Sequence, residues 1–154
     1  MDDNTIIHKL LEIFEYKSTY QLQTSNIQPQ DMYVLERVYY NEKILVKDLS
    51  KQYSIPPSTL TGIIDRLERK KLLKRLRTNA DRRAIELVAT DEGNVVVLKH
   101  IKEDKLFCQN LFNTLDPDKK ENLKELLNEL LSKVVKESLF TSGDEDRRYS
   151  DGID

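Results

Sequence analysis

The chain has 154 residues, 34% of them charged, and its 25 lysines and arginines against 27 aspartates and glutamates give a formal net charge of −2. Four glycines and four prolines are few for this length, which favours a mostly helical protein, because helices exclude both residue types while strand-rich folds need them at turns. No apolar run reaches the roughly 18 residues of a membrane span, the start at Met1 lacks the basic and apolar regions of a secretory signal, and a single cysteine fits a reducing cytoplasm.

Four helices are predicted in the first half of the chain. Apolar residues at three- and four-residue spacing predict a helix over residues 5–23. Pro29 predicts the first residue of the next helix, and a short third helix is expected over residues 46–53. A residue that precedes proline is pushed out of the helical region, which predicts a tight turn before a fourth helix from Pro57 to about Lys70. Two short helices joined by such a turn form the helix-turn-helix pattern.

The fourth helix is predicted to bury an apolar face and to expose a face of small and polar residues. Gly62 on that face lacks a side chain and would permit close approach to DNA. After this helix, residues 72–77 and 84–88 alternate around the polar residues 78–83, which predicts a β-hairpin with an exposed tip. A hairpin directly after a helix-turn-helix is a winged helix. The exposed face of the fourth helix comprises Ser58, Thr59, Thr61, Gly62, Asp65, Arg66 and Arg69.

Two further helices are predicted in the second half. Thr90, followed by two acidic residues, predicts the capped start of a fifth helix that runs to about Leu115. Asp116 and Pro117 predict the cap and the first residue of a sixth helix, whose apolar stripe of leucines and valines extends to Val135.

The expected fold class is mainly α with a small β-hairpin wing. A winged helix-turn-helix lobe is expected over residues 27–89. The leucine stripe of residues 123–135 is too wide to remain exposed, so residues 1–26 and 90–139 are expected to form a helical dimerisation region. Residues 140–154, rich in acids and poor in apolar residues, are expected to be a disordered acidic tail.

The net charge hides a strong polarity along the sequence. Residues 56–83 hold nine basic and three acidic residues and carry +6, so the remainder carries −8. The positive charge falls on the two elements that would face DNA, where binding would release counterions and weaken steeply with salt. For a run of charges taken alone, the alternative interpretation is that it forms the solvated faces of a helix and a hairpin. An acidic protein would also be attracted to this positive surface. A winged-helix interaction module or adaptor that does not read DNA is therefore the alternative function.

Two stretches carry motifs specific enough to name a family. Residues 48–75, and residues 81–93 with the pattern D-x-R…L-x-x-T-x-x-G, resemble the MarR/SlyA family of bacterial transcriptional regulators. The resemblance is close over residues 27–93. It implies a repressor that binds double-stranded DNA as a homodimer on a palindromic operator. No phosphate-binding glycine loop, nucleophile elbow or pair of histidines is present, so neither enzymatic activity nor a cofactor is expected.

The resemblance also assigns roles to residues. The recognition helix from Pro57 would enter the major groove, with Ser58 and Thr59 beside phosphates. Arg83 would reach into the minor groove, whose enhanced negative potential attracts arginine, and Asp81 would orient its guanidinium. The DNA-facing residues of the strands and wing are then Arg75, Arg77, Asp81, Arg82 and Arg83.

One departure from the family pattern affects the end of the recognition helix. Lys71 stands where the family often has a glycine that relieves a left-handed helix end. This helix is therefore expected to end with some backbone strain or in a different way.

Aromatic residues crowd the first two helices. Members of the family often bind small aromatic or phenolic effectors between the dimer base and the DNA lobe, so these aromatics are a candidate effector pocket. Ordinary core packing with hydroxyls at the rim is the alternative. The candidate pocket residues are Phe14, Tyr16, Tyr20, Tyr33 and Tyr39.

The cysteine and the histidines point to no further chemistry. Cys108 lies among apolar residues with no pattern of cations that would activate its thiol, so it is predicted to be a core residue rather than a redox sensor. His8 and His100 have no second cluster of ligands, and no metal site is expected.

Overall fold

The computed structural model describes residues 1–77 and 84–141. It confirms a mainly helical fold with a small antiparallel sheet. In chain order the elements are α1 (Asp3–Ser25), α2 (Pro29–Tyr40), β1 (Ile44–Leu45), α3 (Val46–Gln52), α4 (Pro57–Arg69), β2 (Leu73–Arg77), β3 (Ile85–Ala89), α5 (Asp91–Phe112), α6 (Pro117–Lys133) and a 3₁₀ turn (Lys136–Ser138).

Proline fixes the start of three helices. α2, α4 and α6 begin at Pro29, Pro57 and Pro117, as the sequence predicts. Proline suits this position because its fixed backbone angle is helical and the missing N–H would have no partner inside the helix. The helix starts that position the helix-turn-helix can therefore be predicted from the local sequence.

The two predicted caps differ in what their side chains do. The hydroxyl of Thr90 accepts a hydrogen bond from the backbone N–H of Gly93 at 3.0 Å, which confirms the predicted cap of α5. Asp116 occupies the capping position of α6, but its side chain makes no hydrogen bond to the helix backbone. Its carboxylate instead pairs with Lys119 at 3.2 Å.

The sheet contains the predicted hairpin strands and one strand that the sequence does not predict. β2 and β3 pair antiparallel, with Arg77 opposite Ile85. The predicted hairpin tip, residues 78–83, lies outside the described residues. The additional strand β1 pairs antiparallel with the other side of β3, so that Ile44 lies opposite Leu87. A two-residue strand is too short to show an alternating pattern.

Backbone contacts divide the chain into two compact units, Met1–Phe107 and Cys108–Asp154. In the first unit, the buried apolar residues come almost entirely from the stretch between Ile27 and Leu87, with Val97 of α5 added. The helix-turn-helix elements therefore rest on a core of their own. In the second unit, α6 has no buried residue, and its leucines are exposed except for Leu127, which is half-buried.

The end of α6 corrects one prediction. Val134 and Val135 were expected to continue the helix, but α6 ends at Lys133 and Val134 has extended backbone angles (φ −70°, ψ 124°). Valine restricts its own side-chain rotamers in a helix, and two in succession lower the helix propensity where no packing partner compensates.

The end of α4 confirms the expected strain. Lys71 adopts a left-handed conformation with φ 59°. Its N–H donates to the carbonyl of Glu68 at 2.9 Å, and the N–H of Leu72 donates to the carbonyl of Leu67 at 3.0 Å. These two bonds form a Schellman motif, which usually places glycine at this position.

Lys71→Gly is expected to raise the free energy of unfolding by about 0.5–1 kcal/mol, because glycine adopts the left-handed conformation without a steric cost. Chemical denaturation measures the change. Lys70→Gly is the matched control, since Lys70 has φ −80° and gains nothing from glycine. Equal stabilities of the two variants would contradict the prediction.

The start of α5 contacts the turn that follows α4. The N–H of Thr90 donates to the carbonyl oxygen of Leu72 at 3.1 Å, and the Thr90 hydroxyl donates to the carbonyl of Lys71 at 2.7 Å. Gly93 lies so close that a Cβ atom placed on it would be 2.0 Å from the same Leu72 oxygen. Glycine is therefore required for this approach of helix to backbone.

Candidate nucleic-acid interface

The turn between α3 and α4 is held by local hydrogen bonds. Ser54 takes the left-handed conformation (φ 53°), and the N–H of Ile55 donates to the carbonyl of Ser50 at 3.0 Å. The Ser50 hydroxyl donates back to the Ile55 carbonyl at 2.6 Å, and the Ile55 side chain is buried. The turn thus fixes the angle at which α4 leaves α3.

α4 presents the predicted two faces. Its buried residues are all apolar and belong to the core of the first unit. On the opposite face Ser58, Thr61, Asp65 and Arg69 are exposed, whereas Thr59, Gly62 and Arg66 are half-buried. Around Gly62, a Cβ atom would meet only the Arg66 guanidinium at 3.5 Å, so the middle of this face is open.

Arg66 is bound by a buried carboxylate. Its Nε and one terminal nitrogen donate to the two oxygens of Asp31, at 2.9 and 2.7 Å. The Asp31 side chain is only 3% exposed and lies in the first turn of α2. This fork-to-fork geometry is the strongest form of an ion pair. Arg66 was predicted to face DNA, and the structure shows that it also joins α4 to α2.

Arg75 is likewise held by acidic residues of α4. One terminal nitrogen donates to Asp65 at 2.5 Å and the other contacts Glu68. The hydrogen bond to Asp65 raises the pKa of the Arg75 guanidinium above its ordinary value. The expected contact of Arg75 with a phosphate would therefore compete with two carboxylates.

The remaining basic residues differ in their engagement. Arg69 and Arg77 are exposed, and Arg69 bonds only to the backbone carbonyl of Asp65 at 3.3 Å within the described chain. The Lys70 ammonium donates to the carbonyl of Asn26 at the end of α1. The predicted wing residues Asp81, Arg82 and Arg83 lie outside the described residues.

Sequence reasoning did not find Asp31. An acidic residue two positions after Pro29 signals a helix start, because a negative charge is favourable there. Nothing in the sequence links it to an arginine 35 positions later, since that pairing depends on how α2 packs against α4.

A sequence profile of the MarR family matches residues 27–85. The transcriptional regulator FarR of Neisseria gonorrhoeae is 31% identical over 109 residues, which cover 71% of this chain and 75% of FarR. The chain belongs to the MarR family. It is accordingly a helix-turn-helix transcriptional regulator, as the resemblance in the sequence implies.

Two further similar proteins are a named repressor and a protein whose structure contains DNA. The transcriptional repressor MdtR of Bacillus subtilis is 31% identical over 74 residues, so the match spans 48% of this chain and 48% of MdtR. The crystal structure of Streptococcus pneumoniae FabT in complex with DNA superposes with a TM-score of 0.72 at 20% identity, covering 85% of this chain and 96% of FabT. The second comparison supports the fold.

The structure does not bring the five aromatic residues of the candidate effector pocket together. Phe14 packs against Phe107 with ring centres 6.0 Å apart, and Tyr16 and Tyr20 are exposed. Tyr33 lines a cavity of about 190 Å³ among α1, α2 and α5, whereas Tyr39 lines a different one.

Polar residues surround the Tyr33 cavity. Asp104 accepts hydrogen bonds from Lys17 at 2.8 Å and Gln21 at 2.7 Å. The carboxylate of Glu36 lies 3.8 Å from His100. Burial raises the pKa of the Glu36 carboxyl above its ordinary value, an effect that His100 and Arg37 partly oppose. The cavity is therefore lined by one aromatic side chain, that of Tyr33, together with charged and polar side chains such as those of Lys17 and Glu36.

Cys108 corrects a second prediction. It was expected in the core, but its side chain is exposed on the outside of α5 in the single chain. Apolar neighbours along a helix indicate a buried face only when another element covers that face.

His8 is also exposed and contacts the backbone carbonyl of Asn4. In the described ranges, no three potential ligands come together as a metal site.

Among the described helices, none combines the length and the apolar character that crossing a bilayer requires.

Proposed function

We propose that this MarR-family protein is a repressor that binds a palindromic operator as a homodimer in the cytoplasm. The observation that carries the proposal is the exposed face of α4, which is open at Gly62 and lies in a segment of charge +6. A related protein is named a repressor, and FabT shares the fold in a complex with DNA.

Base reading in this proposal belongs to the face of α4. Ser58, Thr59, Thr61 and Gly62 form its first turns, and a major groove admits a helix of this size. Short side chains let the backbone of the helix lie close to the base edges. Arg69 and Arg77 would contact phosphates, because both are exposed and positively charged.

A homodimer would bury the apolar residues that the single chain leaves exposed. On α6, Leu126, Leu130 and Leu131 are 56–68% exposed. On α1, Ile7 and Leu11 are 54% and 52% exposed. Single exposed leucines are common on soluble proteins, but a continuous stripe of them marks an interface.

Light scattering at micromolar concentration is expected to give twice the chain mass of 18.1 kDa. Leu130→Glu and Leu131→Glu together should shift the mass towards the monomer, because each would place a charge in the apolar interface. The charge-matched control combines Gln28→Glu with Gln30→Glu, since both glutamines are exposed and lie outside the expected dimerisation region. A wild-type monomer would contradict the homodimer.

An effector would act by favouring one separation of the two DNA-binding lobes, which requires that it bind that state better than the other. The Tyr33 cavity supports a small aromatic or phenolic ligand, since it offers one aromatic ring and several polar partners. A panel of small phenols and aromatic acids, titrated against the operator complex, tests this part of the proposal.

Arg83→Ala is expected to weaken binding to the operator by roughly ten-fold or more without loss of folding, because the side chain would lie in the minor groove. An operator selected in vitro from random duplexes, with fluorescence anisotropy as the readout, measures the change. Arg82→Ala is the matched comparison, since Arg82 occupies the variable position of the D-x-R pattern and its replacement removes the same charge, so its effect on binding should be smaller.

Unchanged binding by Arg83→Ala would remove the wing from the proposal. A wild-type protein that selects no duplex, yet is folded and dimeric, would favour the interaction module that does not read DNA.

A further inference from the structure

A groove of about 430 Å³ lies between the helix-turn-helix and the hairpin. Four elements form it: β1, α3, the start of α4 and the start of β3. The lining is mostly apolar, with one lysine. The residues are Leu45, Val46, Lys47, Ser50, Pro57, Thr61, Ala84 and Ile85.

Lys47 supplies the charge of this groove. It is exposed, and none of the carboxylates in the described ranges lies within 4 Å of it. The hydroxyls of Ser50 and Thr61 already donate to backbone carbonyls, at 2.6 and 2.9 Å. Among the described residues, Lys47 is therefore a cation beside the groove with no carboxylate partner, unlike Arg66 and Arg75.

The proposed function requires a strand of DNA to pass through this groove. If α4 occupies the major groove and the hairpin reaches the adjacent minor groove, one DNA strand separates the two. That strand must cross the protein between α4 and the hairpin. The groove has Pro57 and Thr61 of α4 on one side and Ala84 and Ile85 at the hairpin on the other.

We infer that this groove binds one sugar-phosphate strand of the operator, with Lys47 contacting the phosphate between the two DNA grooves. The apolar wall of Leu45, Val46 and Ile85 contacts the deoxyribose, whose C–H surface needs no hydrogen-bond partner. The inference rests on the proposed function and adds a contact from α3, which lies outside the recognition helix and the wing.

Lys47→Gln tests the phosphate contact through its salt dependence. One neutralised phosphate contributes about 0.9 to the slope of log affinity against log salt concentration, so the slope should fall by about that amount and the affinity by about five-fold at 0.15 M salt. Lys51→Gln is the matched control. Lys51 is an exposed lysine at the end of the same helix and is not part of the groove.

Methylphosphonate substitutions in the operator identify the phosphate itself. With wild-type protein, neutralising the phosphate between the two DNA grooves should weaken binding about five-fold, since it removes the same charge contact. With Lys47→Gln, the same substitution should have no further effect. Unchanged thermal midpoints of both lysine variants show that folding is intact.

Two results would overturn the inference while leaving operator binding by the wild type in place. One is an equal salt slope for Lys47→Gln and wild type. The other is a loss of affinity from Lys47→Gln that adds to the loss from methylphosphonate substitution at every phosphate. A wild-type protein that binds no duplex would overturn the proposed function and this contact with it.

Discussion

Gly93→Ala is expected to lower the free energy of unfolding by about 3 kcal/mol, because overpacking that displaces backbone is among the costliest small-to-large changes. The added Cβ would lie 2.0 Å from the carbonyl oxygen of Leu72 and 3.0 Å from its carbonyl carbon. Main chain cannot rotate away as the end of a side chain can. Relief therefore requires α5 and the turn after α4 to separate.

The separation would break hydrogen bonds as well. The N–H of Thr90 donates to the same Leu72 oxygen, and the Thr90 hydroxyl donates to the carbonyl of Lys71. Because this turn leads directly into β2, the disturbance would reach the hairpin and the position of α5 together. Thermal unfolding at a fixed protein concentration should show a midpoint lowered by about 10 °C.

Gly62→Ala is the matched control for Gly93→Ala. Both glycines are helical, but a Cβ on Gly62 meets only a guanidinium nitrogen at 3.5 Å, an ordinary contact. Alanine in a helix interior is more stable than glycine by about 0.5–1 kcal/mol, so this variant should gain stability. It should nevertheless bind the operator more weakly, since the methyl group would stand on the proposed DNA-facing surface. Equal stabilities of the two variants would contradict the assigned contact.

The two glycines show which parts of the fold can be predicted from sequence. Both were assigned to helices correctly, and the prolines and Thr90 located the helix starts, because these signals act within a few residues. The contact that makes Gly93 necessary is between elements 21 positions apart, and no local pattern reports it. β1 was missed for the same reason, since it exists only through its pairing with β3.

The candidate site divides in the same way. Periodicity predicted which face of α4 is exposed, and the distribution of charge predicted that the surface is basic. Neither could predict which charges are already paired. Asp65 and Glu68 hold Arg75, and Asp31 holds Arg66, because the tertiary packing brings these side chains together. The burial of Cys108 was predicted wrongly because the pattern of one helix does not show whether another element covers it.

Arg66→Ala is expected to lower the free energy of unfolding by more than Asp31→Ala does, because it would leave the buried carboxylate of Asp31 without its counter-charge. The Asp31 side chain is 3% exposed and that of Arg66 is 42% exposed, so the two partners are not equivalent. Without Arg66, the Asp31 oxygens lose the two charged hydrogen bonds that they accept at 2.9 and 2.7 Å. Without Asp31, the arginine can still turn towards solvent, and Asp31→Ala should cost only about 1 kcal/mol.

The unequal burial of Asp31 and Arg66 provides the control for Arg66→Ala. Asp31→Ala combined with Arg66→Ala should be more stable than Arg66→Ala alone, because the double variant buries no unpaired charge. Arg69→Ala removes a guanidinium from the same helix whose one hydrogen bond in the described chain goes to a backbone carbonyl, and it should change stability little. Urea denaturation of the four variants at pH 7 measures these differences. If Arg66→Ala were as stable as Arg69→Ala, the pair with Asp31 would not hold α4 against α2, and Arg66 would be free to contact DNA.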